Sequence, residues 1–209
     1  MIGLSSVKAD IYALLTDSGS AEVLRPLAAG CGFETFIGPE DDVLSRYALA
    51  VKYFGVDRYF RATGDNPLVS GELANDLLDF HDRNSADFSG YLGPPLGTGV
   101  EITEARAILT AADVSNDSYE REHVSPFLYR RPERFRIFRP WAPNDVCLPS
   151  SKVTLDTSED YAKLTTIYNS LYRGEPIQVR ELVTWLKDYE GSHEKACSNS
   201  PVYTVGERG

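Results

Sequence analysis

Two aspartates follow apolar segments of the sequence, at points where the chain turns. Asp65 stands in RATGDNPLVS, after the strand-like DRYF and before Pro67, which blocks continuation of a strand. Asp156 ends KVTLD, directly before a helix-like segment. Open α/β sheets bind ligands at the carboxyl ends of their strands. Two carboxylates at such ends suit a Mg²⁺ ion, which takes one or two protein carboxylates and fills its shell with waters and substrate phosphates.

Each aspartate also has an ordinary interpretation. Asp is common in turns and at helix starts, because its side chain accepts hydrogen bonds from nearby backbone N–H groups. Taken alone, neither Asp65 nor Asp156 separates a turn residue from a metal ligand. Both hypotheses stay open at this point.

An arginine-rich segment is the third feature that could bind a ligand or take part in chemistry. Six arginines lie between residues 121 and 139: Arg121, Arg130, Arg131, Arg134, Arg136 and Arg139. Only Glu122 and Glu133 oppose them in that interval. Such a segment suits a ligand that carries phosphate or carboxylate, or an acidic face of a partner subunit. The alternative is a solvated arginine-rich surface.

The chain as a whole is acidic, with a formal net charge of −10 over 209 residues. This charge argues against a nucleic-acid-binding protein, which carries a basic surface. No apolar run reaches the roughly 20 residues that span a bilayer, and the first residues lack the pattern of a signal peptide. Cys31, Cys147 and Cys197 form no C-x-x-C pair, so they indicate neither a disulfide scaffold nor a zinc site. We therefore expect a cytoplasmic protein with no nucleic-acid or membrane partner.

Apolar periodicity divides the first half of the chain into alternating strands and helices. Strands are predicted at 9–16, 33–38, 57–63, 86–92 and 98–103, and helices at 21–30, 41–55 and 71–84. The run over 9–16 is typical of a strand buried on both faces. Pro26 must lie in the first turns of its helix. Short connections between alternating elements predict an α/β fold with a mostly parallel sheet flanked by helices.

The second half of the chain is more helical. Short strands are predicted at 134–138 and 152–155, and a last amphipathic helix at 177–191. Between them, Thr157 and Asp160 resemble a capping box that begins a helix ending at Gly174. Its predicted apolar stripe has four residues: Tyr161, Leu164, Tyr168 and Leu171. We expect residues 1–190 to form a single domain and residues 191–209 a flexible tail.

Four segments, taken in order, resemble one protein family. They are EDDVLSRY at 40–47, RATGDNPLVS at 61–70, YEREHVSPFLYRRPERFRI at 119–137 and TLDTSEDY at 154–161. Together they resemble the cytidylyltransferases of the spore-coat polysaccharide biosynthesis F type, relatives of the enzymes that make CMP-activated acidic sugars. The resemblance implies a nucleotide-diphosphosugar-transferase-like (GT-A-like) α/β fold. It also implies transfer of CMP from CTP to a sugar or sugar acid, release of pyrophosphate, and a homodimer.

The resemblance assigns roles to individual residues. Asp65 matches the aspartate that binds Mg²⁺ near the α-phosphate, and Asp156 matches the second metal-binding aspartate. Ser158 stands where the family more often has Pro, and both residues suit a helix start. Substrate-binding roles fall on six residues: Arg61, Gly97, Thr98, Glu101, Arg121 and His123. Glu101 is placed to accept sugar hydroxyl protons, and His123 is equally compatible with a hydrogen-bonded place inside the fold.

The sequence departs from the family near residue 1. Family members begin with a strand and a loop of the form A-R-x-x-S-x-R-L-P-x-K around the CTP phosphates, whereas GLSSVK at 3–8 lacks the arginines and the proline. That first strand lies centrally in the family fold, beside the strand that ends at Gly64 and Asp65. We therefore expect an open edge on the strand over 57–63 and slow turnover of CTP. Three hypotheses remain: an incomplete cytidylyltransferase, a non-catalytic sugar-nucleotide binder or oligomer subunit, and an unrelated small-molecule-binding domain.

Overall fold

Helices and strands alternate along the first half of the chain, as the apolar periodicity predicts. The computed structural model describes residues 1–190; the predicted tail over 191–209 lies outside them. Residues 1–190 contain six strands: Ala13–Thr16 (β1), Glu34–Ile37 (β2), Arg58–Arg61 (β3), Phe88–Gly90 (β4), Glu101–Glu104 (β5) and Ile137–Phe138 (β6). In the same part of the chain, a short 3₁₀ turn at Ile2–Leu4 precedes eight helices: Ser18–Gly30 (α1), Val43–Phe54 (α2), Gly71–Arg83 (α3), Ala105–Val114 (α4), Ser118–His123 (α5), Pro126–Tyr129 (α6), Ser158–Leu171 (α7) and Val179–Glu190 (α8).

The strands of the described residues form two sheets. β1 and β2 pair in parallel, and a four-stranded sheet has the order β3-β5-β4-β6. β6 runs parallel to β4, whereas β5 is antiparallel to both β3 and β4. The α/β fold is confirmed, with parallel pairing in part. The antiparallel ladders arise because a loop without a helix joins β4 to β5, and a parallel return would need a crossover.

β3 lies at one end of its sheet, as the sequence predicts. Within residues 1–190 it pairs with β5 alone, so its other edge carries no strand. One face of β3 is covered by the first residues of the chain, where Val7 is buried in a small cluster with Val69 and Ala74. Phe60 of β3 packs against this cluster. The segment over 1–8 is thus part of the core around β3.

Helix ends follow the chemistry of their capping residues. α1 begins at Ser18 because the Asp17 carboxylate accepts a hydrogen bond from the Ser20 N–H at 2.8 Å. Pro26 therefore lies inside the helix, and its predicted place in the first turns is wrong. α2 ends at Gly55, which adopts φ 64° as a left-handed cap. The capping box of Thr157 and Asp160 is confirmed at the start of α7.

Three sequence predictions about burial and strand formation need correction. Tyr161 of α7 is 65% exposed, so it does not belong to the buried stripe of this helix. Ile167, which was not predicted there, is fully buried, and Leu164 is buried too. The predicted strand over 152–155 is an extended segment with a single parallel bridge between Leu96 and Lys152. β1 is only half-buried, because it pairs with β2 alone among the described residues. Tertiary packing decides these points, which apolar periodicity does not encode.

The core of the described residues has two large clusters. One joins α7 and α8 to the first turn of α3 and includes Leu73, Leu164 and Leu186. The other joins α2, α4 and α6 to the four-stranded sheet and includes Leu44 and Phe88. Within residues 1–190, no helix is long and apolar enough to cross a membrane.

A buried histidine fixes α3 to the four-stranded sheet. The His81 side chain is 2% exposed, and its Nδ1 lies 2.8 Å from the Ser89 Oγ. Its Nε2 lies 3.1 Å from the Glu104 Oε1 on the neighbouring strand. The sequence assigned no role to this residue, because a histidine on a helix face carries no signal of its partners.

We expect His81→Leu to destabilise the fold by about 1–3 kcal/mol, because it leaves the buried Ser89 hydroxyl without its partner. Urea denaturation followed by circular dichroism measures this change. The matched control is His123→Leu, since His123 is exposed and its loss leaves no buried polar group unpaired. Equal stability of the two variants would show that the His81 contacts contribute little.

Candidate functional site

Asp65 and Asp156 are brought together by a backbone hydrogen bond between the segments that carry them. The N–H of Leu155 donates to the carbonyl of Asp65 at 2.7 Å. Asp65 lies in a turn in which the Asn66 N–H donates to the Thr63 carbonyl at 3.1 Å. Both aspartates are exposed. The two aspartates are thus far apart in sequence but lie on adjoining, hydrogen-bonded segments, and both are open to solvent.

A tight turn over residues 95–98 lies against the segment that leads to Asp156. The Thr98 N–H donates to the Pro95 carbonyl at 3.1 Å, with Gly97 at φ 102°. A Cβ atom on Gly97 would lie 3.0 Å from the Thr154 nitrogen. Glycine is therefore required here both for its left-handed backbone and for this close approach.

The two predicted substrate-binding residues in that turn are buried. The Thr98 hydroxyl donates to the Pro95 carbonyl at 2.8 Å, and the Thr98 carbonyl accepts from the Ser70 N–H at 2.8 Å. Gly97 packs on the Asp156 segment. Both residues lie beside the aspartate pair and support it. Their contact with a substrate stays a prediction.

Asp156 has a cationic neighbour that the sequence reading missed. The Lys152 Nζ lies 2.8 Å from the Asp156 Oδ2, and the Thr154 hydroxyl donates to the same oxygen at 2.6 Å. The hydrogen bond from Lys152, followed by that from Thr154, holds the pKa of Asp156 below its usual value. Asp156 is therefore a carboxylate at neutral pH. The spacing K-x-x-x-D was the available signal, but it has meaning only once the segment is known to be extended.

The donor set of the aspartate pair fits a Mg²⁺ ion. Mg²⁺ takes oxygen ligands and binds through one or two carboxylates plus substrate phosphates and water. The carboxylate of Asp65 makes no hydrogen bond or ion pair within residues 1–190. The described residues hold no group of three or more acidic, histidine or cysteine side chains that could retain a metal by themselves. A cation at Asp65 and Asp156 would therefore complete its shell with waters or substrate phosphates.

A second polar group lies at the same end of β3. Arg61 and Glu101 face each other across β3 and β5, with Arg61 Nη1 3.1 Å from Glu101 Oε2. The Ser125 hydroxyl donates to the same oxygen at 2.5 Å. The Nε of Arg61 is buried and has no hydrogen-bond partner among the described residues. The structure thus joins two of the predicted substrate-binding residues and adds Ser125.

Ser125 is held in place by a strained turn. Val124 adopts φ 69° and ψ −69°, and the Ser125 N–H donates to the His123 carbonyl at 2.8 Å. This three-residue turn is rare, and a β-branched residue with positive φ is costly. Complete burial of the Val124 side chain, with Phe127 and other apolar residues, holds it there. The sequence carried no signal of this turn, because valine does not mark positive φ.

His123 lies on the surface beside an aromatic ring and a guanidinium group. Its ring centroid is 4.3 Å from that of Tyr119, and Arg130 lies 4.8 Å from the same tyrosine ring. His123 is exposed, so a hydrogen-bonded place in the interior does not describe it. Contact with a substrate stays a prediction for this residue.

The arginine-rich segment divides into two groups. Arg121 Nη2 lies 2.6 Å from Asp42 Oδ2, and its other donors reach the Ser45 hydroxyl and the Ser115 carbonyl. Arg131 Nη1 binds the buried carboxylate of Glu120 at 2.7 Å. Within residues 1–190, four of the six arginines form no ion pair: Arg130, Arg134, Arg136 and Arg139. The first group fixes helices, and the second is available to an anionic ligand.

Residues 14–190 match the family model described as cytidylyltransferase. The chain is 28% identical over 173 residues to the spore coat polysaccharide biosynthesis protein SpsF of Bacillus subtilis, covering 82% of this chain and 72% of that protein. It is 29% identical over 177 residues to an uncharacterized protein of Methanocaldococcus jannaschii, covering 85% of this chain and 72% of that protein.

Solved structures share the fold. A cytidylyltransferase from Leptospira borgpetersenii superimposes with a TM-score of 0.81 at 22% identity, over 96% of this chain and 84% of that chain. CMP:2-keto-3-deoxy-manno-octonic acid synthetase complexed with CTP gives a TM-score of 0.54 at 10% identity, over 78% of this chain and 83% of that chain. At these identities the likeness concerns the fold alone.

Arg121 generates a testable pH dependence through Asp42. Burial raises the pKa of Asp42, but the hydrogen bonds from Arg121 and Ser45 outweigh burial and hold this pKa below its usual value of 3.8. A lowered folded-state pKa gives stability that is present above the unfolded-state pKa and lost as the pH falls through the folded-state pKa. We expect Arg121→Met to lower the free energy of unfolding by about 1–2 kcal/mol at neutral pH.

The difference should shrink at about pH 3 and below, and urea denaturation at several pH values measures it. Arg134→Met is the matched control, because Arg134 forms no ion pair within the described residues. A loss of stability for Arg121→Met that is the same at every pH would contradict the assignment to Asp42.

Proposed function

Because the chain belongs to the cytidylyltransferase family, we propose that it transfers CMP from CTP to a sugar or sugar acid and releases pyrophosphate. The observation that carries the proposal is the pairing of Asp65 with the Asp156 segment through the Leu155 hydrogen bond. The name of the Bacillus relative supports a product used in surface polysaccharide biosynthesis. A cytoplasmic location and a homodimer are part of the same proposal.

The reaction needs positioning and neutralisation of charge more than covalent chemistry. An acceptor hydroxyl attacks the α-phosphorus in line, forming a new P–O bond while the bond to pyrophosphate breaks. Asp65 and Asp156 would hold Mg²⁺, which supplies neutralisation of phosphate charge when bound. The lowered pKa of Asp156 keeps this carboxylate ionised at neutral pH. Asp65 is placed closest to the reacting group in this proposal.

The acceptor is proposed to lie beside Glu101 and His123. Glu101 begins β5 at the same edge of the sheet as the turn of Asp65, because it pairs with Arg61, which lies four residues before Asp65. Its carboxylate accepts a hydrogen bond from the Ser125 hydroxyl and would accept one from a sugar hydroxyl in the same way. The arginines without ion pairs would attract an anionic substrate. Arg121 acts indirectly, because its donors fix α5 to α2.

A second candidate function is binding of a sugar nucleotide without turnover, as a binder or as a subunit of an oligomer. The observation in its favour concerns the first residues. The Lys8 N–H donates to the Asn75 Oδ1 at 2.8 Å, and the Asn75 side chain donates to the Ser6 carbonyl at 2.8 Å. This segment is therefore tied to α3 and offers no arginine to phosphates. Binding of CTP without pyrophosphate release from any sugar acid would favour this candidate.

We expect Asp65→Asn and Asp156→Asn each to weaken Mg²⁺-dependent CTP binding by about tenfold or more, because each removes a charged metal ligand. Isothermal titration with CTP, in Mg²⁺ and in EDTA, measures this effect. The melting temperature should change little, because an exposed carboxylate turned into an amide leaves no cavity. Asp41→Asn, also at an exposed position, is the control. Unchanged Mg²⁺ dependence in both site variants would remove the metal assignment.

We expect His123→Ala to raise the KM for the sugar more than the KM for CTP, because His123 lies on the Glu101 side of the site. Pyrophosphate release at varied concentrations of each substrate separates the two constants. The control is His193→Ala, because His193 lies outside the four segments that resemble the family. An equal rise in both KM values would count against a sugar-facing histidine.

A further inference from the structure

Lys152 places a positive charge between two carboxylates next to the aspartate pair. Its Nζ lies 2.8 Å from the Asp156 Oδ2 and 3.0 Å from the Asp160 Oδ2. Asp160 also accepts the N–H groups of Asp156 and Thr157, each at 3.0 Å. Asp160 is therefore fixed as the N3 residue of the capping box that begins α7. Its own contact with Lys152 holds the ammonium group near Asp156.

The backbone of Lys152 is fixed, whereas its side chain is partly exposed and, among the described residues, is held only at the ammonium group. The Val153 N–H donates to the Leu96 carbonyl at 2.8 Å, and the Leu96 N–H donates to the Ser151 carbonyl at 2.9 Å. The Lys163 Nζ donates to the Lys152 carbonyl at 2.9 Å. By contrast, 42% of the Lys152 side chain is exposed. Its ammonium group can therefore leave Asp156 at little cost to the packing of the segment.

A cation that binds at Asp156 must contend with this ammonium group. Like charges a few ångströms apart repel, and the repulsion doubles for a divalent ion. Lys152 offsets one of the three carboxylate charges of Asp65, Asp156 and Asp160, and it shares its charge between Asp156 and Asp160. Nucleotide phosphates bring several further negative charges to the same place and also attract a lysine ammonium group.

We propose that Lys152 is an internal counter-ion of Asp156 that weakens the binding of a free divalent cation and thereby makes cation binding depend on nucleotide phosphates. This inference rests on the proposed function, since it takes Asp65 and Asp156 as the ligands of the cation. Lys152 is a positioning residue in this arrangement. Without nucleotide it pairs with Asp156 and Asp160. With nucleotide and cation present it keeps Asp160 and turns toward the phosphates.

The experiment measures the affinity for Mn²⁺, read from the electron paramagnetic resonance signal of the free ion, with and without CTP. Exposed ion pairs change an equilibrium by up to about fivefold. We therefore expect Lys152→Met to bind Mn²⁺ alone about fivefold more tightly than the natural chain. The factor by which CTP improves Mn²⁺ affinity should fall. In the variant, no ammonium group repels the ion, so the phosphates of CTP have no such repulsion to relieve. Lys152→Arg keeps the charge and should resemble the natural chain.

Lys52→Met is the control for the change in net charge, because Lys52 is an exposed lysine on α2. It should leave both Mn²⁺ affinities unchanged. The effect of Lys152→Met should also shrink at about 1 M salt, where exposed charges are screened. If Lys152→Met lowers stability, Lys152→Gln gives the same comparison with a shorter polar side chain. Melting temperatures identify which variant to use.

Three results would overturn the proposal. Weaker or equal Mn²⁺ binding by folded Lys152→Met and Lys152→Gln would show that Lys152 supports Asp156 and does not oppose the cation. Absence of Mn²⁺ binding in the natural chain, with CTP present, would overturn the proposed metal site and this inference together. Binding in the natural chain that Asp156→Asn abolishes but Lys152→Met leaves unchanged would overturn this inference alone.

Discussion

The hydrogen bond between the Leu155 N–H and the Asp65 carbonyl joins the two halves of the candidate site. It connects the turn after β3 to the segment before α7, and these lie in separate parts of the sequence. Neither segment alone would bring the two aspartates near each other, because Asp65 lies in a turn and Asp156 follows a separate extended segment. The geometry of the pair therefore depends on what holds the Asp156 segment against the sheet.

That support comes from the turn over residues 95–98. Backbone hydrogen bonds that join Leu96 to Ser151 and Val153 fix the extended segment that leads to Asp156. Gly97 permits the close approach, since a side chain there would meet the backbone of Val153 and Thr154. On its far side the turn contacts α3 through the Ser70 N–H. Residues near the aspartates thus act mainly as scaffold, and exposed oxygens are left for a cation and a ligand.

The arginine-rich segment shows how one sequence feature serves two purposes. Arg121 and Arg131 are bound to carboxylates of α2 and α5, so they fix the helices that carry His123 and Ser125. The strained turn at Val124 then directs the Ser125 hydroxyl to Glu101. The remaining arginines keep their charge for solvent or an anionic ligand. Charge alone does not separate these roles, because pairing depends on which helices come into contact.

Local chemistry let the sequence determine the order of the elements and most of their ends. Asp, Ser and Thr caps act within three residues, and Gly55 ends α2 because it accepts a left-handed backbone. The ordered motifs also identified the family and both candidate metal ligands. These signals are local or are tied to short stretches of residues.

Only the tertiary structure decided how those pieces meet. The antiparallel place of β5, the burial of Ile167 in place of Tyr161 and the contacts of His81 all depend on partners distant in the sequence. The same holds for Lys152. Because its segment is extended beside α7, its ammonium group pairs with Asp156 and Asp160. Such roles arise from packing between segments, which a single sequence does not encode in any one stretch.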